Sequence, residues 1–176
     1  MNAVTRIALA ALLALAARSA AATDVSVNFL PETDFTKYHT YFWVKVEGQN
    51  VDPITDEQIQ RAVDTQLQAK GWKKLDSTEA DAYVAYQVAV RQHQELNYYS
   101  NYGYGWRWGG STSAYTRTVN TGTLTLDVYD RAQKALVWRG SASGTLKTKS
   151  KPEKRQKRLD KAMAKLLNDF PPEPPK

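Results

Sequence analysis

The chain has 176 residues, no cysteine and a formal net charge of +6 at neutral pH. Without cysteine, disulfides, thiolate metal sites and a cysteine nucleophile are excluded, and so is the lipidated cysteine that tethers a bacterial lipoprotein. The positive charge is not spread evenly, because nine Lys and Arg lie between Lys147 and Lys165, opposed only by Glu153 and Asp160.

The N-terminus reads as a cleavable secretory signal. Arg6 precedes an unbroken Ala, Leu and Ile run from Ile7 to Ala17, which Arg18 closes. Such a run is too short to span a bilayer, which takes roughly 20 apolar residues, and it has no polar face to turn toward water. The small residues Ala20, Ala21 and Ala22 satisfy the signal-peptidase rule and place the cut before Thr23, or one residue earlier. The expected organisation is a signal peptide over 1–22, a single domain over 23–172 and a Pro-rich tail over 173–176. The expected location is the periplasm or beyond, with no lipid anchor and no transmembrane span after cleavage.

Asp24 to Phe29 alternates, with Val25, Val27 and Phe29 on one side, and predicts a first strand. After Pro31, the β-branched and aromatic stretch from Tyr38 to Val46 predicts a second. Asp52 and Pro53 mark a turn. Thr55 and Gln58 form a capping box for a helix whose Ile59, Val63 and Leu67 stand at helical spacing, and Gly71 supplies the stop. Trp72 to Leu75 is a candidate short edge strand. Ala82 to Val90 alternates again, as does Thr123 to Tyr129. The set Leu136, Trp138, Gly140, Ala142 and Leu146 shares a face of a long strand returning from a polar turn. Ser150 and Glu153 suggest a second capping box, Pro152 suits a first helical turn, and Leu159, Met163, Leu166 and Phe170 form an apolar stripe. This order predicts an α+β fold, a mainly antiparallel sheet of about five strands with two helices on one face.

Asp34-Phe35 with Tyr38, Tyr41 and Trp43, then Asp52-Pro53, Ile59, Val63-Asp64, Leu67 and Gly71-Trp72 resemble the opening of the bacterial domain-of-unknown-function family 4136. The second half continues the resemblance through Ala80-Asp81, Val84-Ala85-Tyr86, Gly122-Thr123-Leu124, Asp127, Asp130, the run from Leu136 to Gly140, Leu166-Leu167 and Phe170-Pro171-Pro172. It covers about Asp24 to Pro172. The resemblance implies an envelope protein of Gram-negative bacteria with no assigned activity, many of whose relatives look like lipoproteins. This chain departs from that pattern in lacking the cysteine.

One candidate binding segment stands out. Tyr98, Tyr99, Tyr102, Tyr104, Trp106 and Trp108 are interleaved with Gly103, Gly105, Gly109 and Gly110. A loop cannot bury its backbone polar groups, so these amphipathic rings are expected to meet water and to suit sugars, lipid headgroups or a protein partner. The plainer expectation is a hairpin tip whose rings pack on one another. In the basic segment, Lys154, Arg155, Lys157 and Arg158 wrap around the helix rather than lining one face, the mark of a solvated run. Contact with phosphate-bearing lipid, lipopolysaccharide or peptidoglycan carboxylates is the alternative.

Catalytic patterns are each short of a part. His39 and His93 are the only histidines and are not at helical metal-ligand spacing. Gly140-Ser141-Ala142-Ser143-Gly144 has Ala where a nucleophile elbow needs Ser, and Gly103-Tyr104-Gly105 lacks the third glycine of a dinucleotide fingerprint. Asp127 is expected to point outward from its strand and Asp130 to begin a turn. The resulting expectation is an exported, non-catalytic interaction or structural domain, without metal or cofactor. Its partner would be an unidentified envelope protein, glycan or lipid headgroup, and not nucleic acid. A glycan- or lipid-surface module built on the aromatic loop is the alternative, and an enzyme comes third.

Overall fold

The computed structural model describes residues 23–100, 112–147 and 149–173. The signal segment, Tyr102, Tyr104, Trp106 and Trp108 therefore lie outside the described residues. Six strands and two helices follow in the order β1 (Asp24–Phe29), β2 (Thr40–Trp43), α1 (Pro53–Ala69), β3 (Lys73–Lys74), β4 (Ala82–Ser100), β5 (Thr112–Asp130), β6 (Ala135–Thr145) and α2 (Pro152–Leu166). The architecture is α+β, as expected.

The sheet order is β1-β6-β5-β4-β2-β3, which corrects two expectations. There are six strands, because Lys73 and Lys74 do form a short edge. The sheet is mixed, because β2 runs parallel to both β3 and β4 while β4, β5, β6 and β1 pair antiparallel. The reason is the connection: α1 carries the chain from β2 over one face and back, and a helix used as a crossover returns the next strand in the same direction. Only β4, β5 and β6 are joined by the hairpins that the pattern suggested.

Local chemistry sets the helix ends. Asp52, not Thr55, caps α1: its carboxylate accepts from the Thr55 N–H at 3.0 Å, and Pro53 occupies the first turn. At the other end Gly71 adopts φ +86°. The Gly71 N–H then donates to the Gln68 carbonyl (2.9 Å) and the Trp72 N–H to the Leu67 carbonyl (3.0 Å), the pairing that ends a helix with a left-handed residue. The second helix has no side-chain cap; Lys151, not Ser150, stands at its N-cap.

One core lies between the helices and one face of the sheet. Val84 and Tyr86 of β4, Leu124, Leu126 and Val128 of β5, and Trp138 and Ala142 of β6 meet Ile59, Val63 and Leu67 of α1 and Met163 and Leu166 of α2. The Trp138 ring packs edge-on against Phe170 at 5.0 Å between centroids. The same ring lies over Gly140, where an added methyl would come within 2.4 Å of it. The inward placement of Trp138 and Leu126 agrees with the alternation read from the sequence.

Candidate functional site

Two kinds of feature could carry function: the polar groups around the core, and the part of the sheet that leaves it. The carboxylates come first because catalysis would need them free. Asp64 on α1 accepts from the Tyr41 hydroxyl (2.7 Å), the Trp43 indole N–H (2.8 Å) and the Lys74 ammonium (3.1 Å). About two helical turns toward the N-terminus, Asp56 accepts from the Tyr86 hydroxyl at 2.6 Å and the Gln60 amide at 2.9 Å. The Tyr86 hydroxyl, with help from Gln60, holds the Asp56 carboxyl below its ordinary range. Burial, and then Asp64, push the Tyr41 phenol far above its ordinary range. Asp56, Gln60, Tyr86 and Lys74 line a shallow cleft of about 360 Å³ beside Trp43, Lys45 and Gln49. Apart from the Gln60 bond, which lies within α1, each bond runs from helix to sheet, so the two carboxylates act as pins between layers.

Three further acids behave alike. Asp81 accepts from the His39 and Thr40 N–H groups, both at 2.9 Å, and from the Thr40 hydroxyl at 2.7 Å, fixing the start of β2. Asp127 does alternate to the outer face of the sheet, but contrary to expectation it is buried. The Arg139 guanidinium covers it, donating twice at 2.6 and 2.7 Å from the opposite position on β6. Asp130 does begin the β5–β6 turn, accepting from the Gln133 N–H at 2.7 Å, and it also holds Lys37 at 2.6 Å and the Tyr38 hydroxyl at 2.8 Å. Burial alone would raise the Asp130 carboxyl; Lys37, the Gln133 N–H and Tyr38 outweigh it and pull the pKa down to about 2. Burial first, and Asp130 second, push the Tyr38 phenol up to about 12.

The histidines are not brought together. His39 is exposed at the head of β2, and His93 lies on β4 with its imidazole 3.4 Å from the Glu95 carboxylate. Among the described residues no group of three His, Asp or Glu side chains is placed to hold a metal.

The part of the sheet that leaves the core is a long arm. β4 and β5 pair without a bulge from Ala82↔Asp130 to Ser100↔Thr112. Their neighbours stop far sooner: β2 accompanies β4 only to Val84, and β6 accompanies β5 only to Thr121, with one more backbone bond from Leu146 to Asn120 at 2.7 Å. From the pair Gln92↔Asn120 outward, nine residue pairs form a ribbon of two strands alone, roughly 30 Å long at ~3.4 Å per residue. Val90 and Leu96 continue the core-facing alternation of β4 but lie past the helices, at 62% and 55% exposure, and Tyr115 on β5 is 56% exposed. A two-stranded ribbon is marginal in water without a surface to rest on, and exposed apolar side chains on it mark a contact face.

The sequence-predicted aromatic segment divides at the end of this arm. Tyr98 and Tyr99 belong to the last turn of β4's pairing, opposite Ala114 and Ser113. Tyr102, Tyr104, Trp106 and Trp108 fall in the connecting segment outside the described residues. The shaft itself, 91–97 with 115–121, was not singled out by the sequence. Its signal was the β-rich run from Tyr115 to Thr121, with Thr116 and Thr118 on one face and Tyr115, Arg117, Val119 and Thr121 on the other, a pattern without a continuous apolar face.

This fold and its family agree. The family model described as a domain of unknown function (DUF4136) matches residues 25–172. The chain belongs to the DUF4136 family. Among solved structures, a DUF4136 family protein from Bacteroides thetaiotaomicron is 15% identical, with a TM-score of 0.51 over 85% of this chain and 96% of that one. A PDZ domain protein from Parabacteroides distasonis is 10% identical with a TM-score of 0.55 over 85% of this chain, which spans only 35% of that longer chain. The PelC dodecamer from Paraburkholderia phytofirmans is 13% identical with a TM-score of 0.50, covering 83% of this chain and 95% of that one. These likenesses are of fold. None of the curated proteins compared matches this DUF4136 chain. Among its described residues no helix is long and apolar enough to cross a membrane.

Proposed function

We propose that this DUF4136 chain is an exported, non-catalytic interaction domain of the cell envelope, and that the β4–β5 arm is the part that engages its partner. The observation carrying this is the arm's two-stranded shaft from Gln92↔Asn120 to Ser100↔Thr112, which leaves Leu96 and Tyr115 exposed without contributing to the core. A domain that needed only to be stable would end its hairpin near Thr121, where β6 ends. The carboxylates support the non-catalytic reading, since Asp56, Asp64, Asp81, Asp127 and Asp130 all hold neighbouring elements together. The first partner to test is a second copy of the chain, since one protein of similar fold is described as a dodecamer. Sedimentation of the chain with and without the arm tests this directly. Envelope material is the second partner, tested by capture on each form.

The alternative keeps the arm but gives the contact to its tip. Six aromatics between Tyr98 and Trp108 would form a platform for glycan or lipid headgroups. Replacing Trp106 and Trp108 by Ala separates the readings: a tip platform loses binding, and a shaft interface keeps it.

A further inference from the structure

The second helix carries a charge pattern that neither the core nor the arm uses. At about 100° per residue, Lys154, Arg158, Lys161 and Lys165 follow at steps of four, three and four residues and fall within about 60° of arc. The apolar stripe of Leu159, Met163 and Leu166 points the other way, into the core. The cations thus form a straight outward line of roughly 16 Å at ~1.5 Å rise per residue, with Lys151 and Lys157 beside it. Lys154, Arg155, Lys157 and Arg158 taken alone do spread around the helix over about 160°; the line emerges when Lys161 and Lys165 are added. Glu153 and Asp160 sit seven residues apart on a separate flank, so they do not neutralise the line. Among the described residues Lys154, Arg158, Lys161 and Lys165 make no ion pair with a carboxylate; Lys165 donates to the Thr23 carbonyl at 2.6 Å, which leaves its charge in place.

We infer that the outer face of α2 is a docking surface for a bilayer rich in anionic phospholipid. Four like charges in a row repel one another and contribute nothing to the helix, so their alignment calls for an opposing plane of negative charge. Three of the four are lysines, compact point charges on flexible stems, which suit mobile headgroup phosphates better than a fixed bidentate site. No aromatic side chain stands between the cations, whereas single-stranded nucleic acid is gripped by basic groups interleaved with stacking rings. Each Lys or Arg held near an anionic membrane contributes about a fivefold gain in partitioning, and the attraction fades within a Debye length.

The test is co-sedimentation of residues 23–176 with vesicles of phosphatidylcholine alone and with phosphatidylglycerol added, at low and high salt. The expected result is binding only to the anionic vesicles, lost at high salt. The triple variant Lys154→Gln, Arg158→Gln, Lys161→Gln should bind them about 100-fold more weakly with an unchanged melting temperature. The pair Glu153→Gln, Asp160→Asn should bind at least as well as the parent. Unchanged vesicle binding by the triple variant overturns the inference, as does equal binding to neutral vesicles, or binding to a DNA duplex in preference to anionic vesicles. The arm-shortened chain is expected to bind vesicles like the parent. Should it lose them while the triple variant keeps them, the membrane contact belongs to the arm and not to α2.

Discussion

Trp138 and Gly140 offer a double-mutant cycle whose outcome follows from the packing. Trp138 is fully buried, in edge contact with Phe170. Cutting it to Ala opens a cavity among residues fixed by sheet and helix, at a cost of about 3–5 kcal/mol. Gly140→Ala errs in the opposite sense. The new methyl would stand 2.4 Å from the tip of the Trp138 ring and 2.8 Å from a Leu166 methyl, an overpacking that costs about 1–3 kcal/mol. In the double variant the methyl enters space the indole has vacated, so most of the clash disappears. The double should therefore be about as stable as Trp138→Ala alone, a coupling of about 1–2 kcal/mol. Urea unfolding followed by far-UV circular dichroism measures all four corners. Costs that add to within about 0.5 kcal/mol would refute the placement of Gly140 under the ring, and a Trp138→Ala cost below about 1 kcal/mol would mean that the wrong face of the sheet is inward.

Other predictions concern the pins and the N-terminus. Replacing Asp64 by Ala strands the buried Tyr41 hydroxyl and should cost about 2–3 kcal/mol, against about 1 kcal/mol for Asp64→Asn, which keeps an acceptor; equal costs in thermal melts would contradict the pin. Asp130 sits at about 2 in the folded chain and near its ordinary value of about 4 when unfolded. It therefore stabilises the fold above pH ~4, and this is lost as the pH falls from ~4 toward ~2. Because Lys37 is half exposed, screening reduces the contribution to about 1–2 kcal/mol, and Asp130→Asn should flatten that part of the stability profile. Protein recovered from the periplasm should begin at Thr23 or Ala22 by intact mass, and a chain there still carrying residues 1–22 would contradict export by cleavage.

How legible each element was depended on whether its residues touch the core. Leu124, Leu126, Val128, Trp138 and Ala142 alternate because one face of their strands is buried, so those strands could be read at once. The same strands run on through 91–100 and 112–121, where sustained apolar alternation gives way to mostly polar residues; there the alternation marks strands only as far as Val90 and from Thr123, and Tyr98 to Trp108 reads as a loop. The parallel step was hidden for a different reason, since pairing direction depends on the route taken by α1 and not on side-chain pattern. The acids were placed correctly one by one, but their partners were not visible. Asp127 looks outward by alternation, and only its register with Arg139, the fifth residue of β6, shows what buries it. The cationic line on α2 needed the whole helix, because its first turn alone does look like a wrapped run.

On the proposed reading, stability and binding reside in different parts of the sheet, a separation of parts that one experiment can break. It is tested most directly by deleting 92–120 and joining Arg91 to Thr121 through a short Asn-Gly turn, then measuring both the unfolding midpoint and association, by sedimentation and by capture of envelope material. The midpoint is expected within a few degrees of the parent, since the main core cluster has no residue in the deleted span and only Val119 among the described buried apolar side chains is lost with it, together with loss of self-association or of captured partner. A shortened chain that folds and still associates as the parent does would contradict it, and so would one that no longer folds.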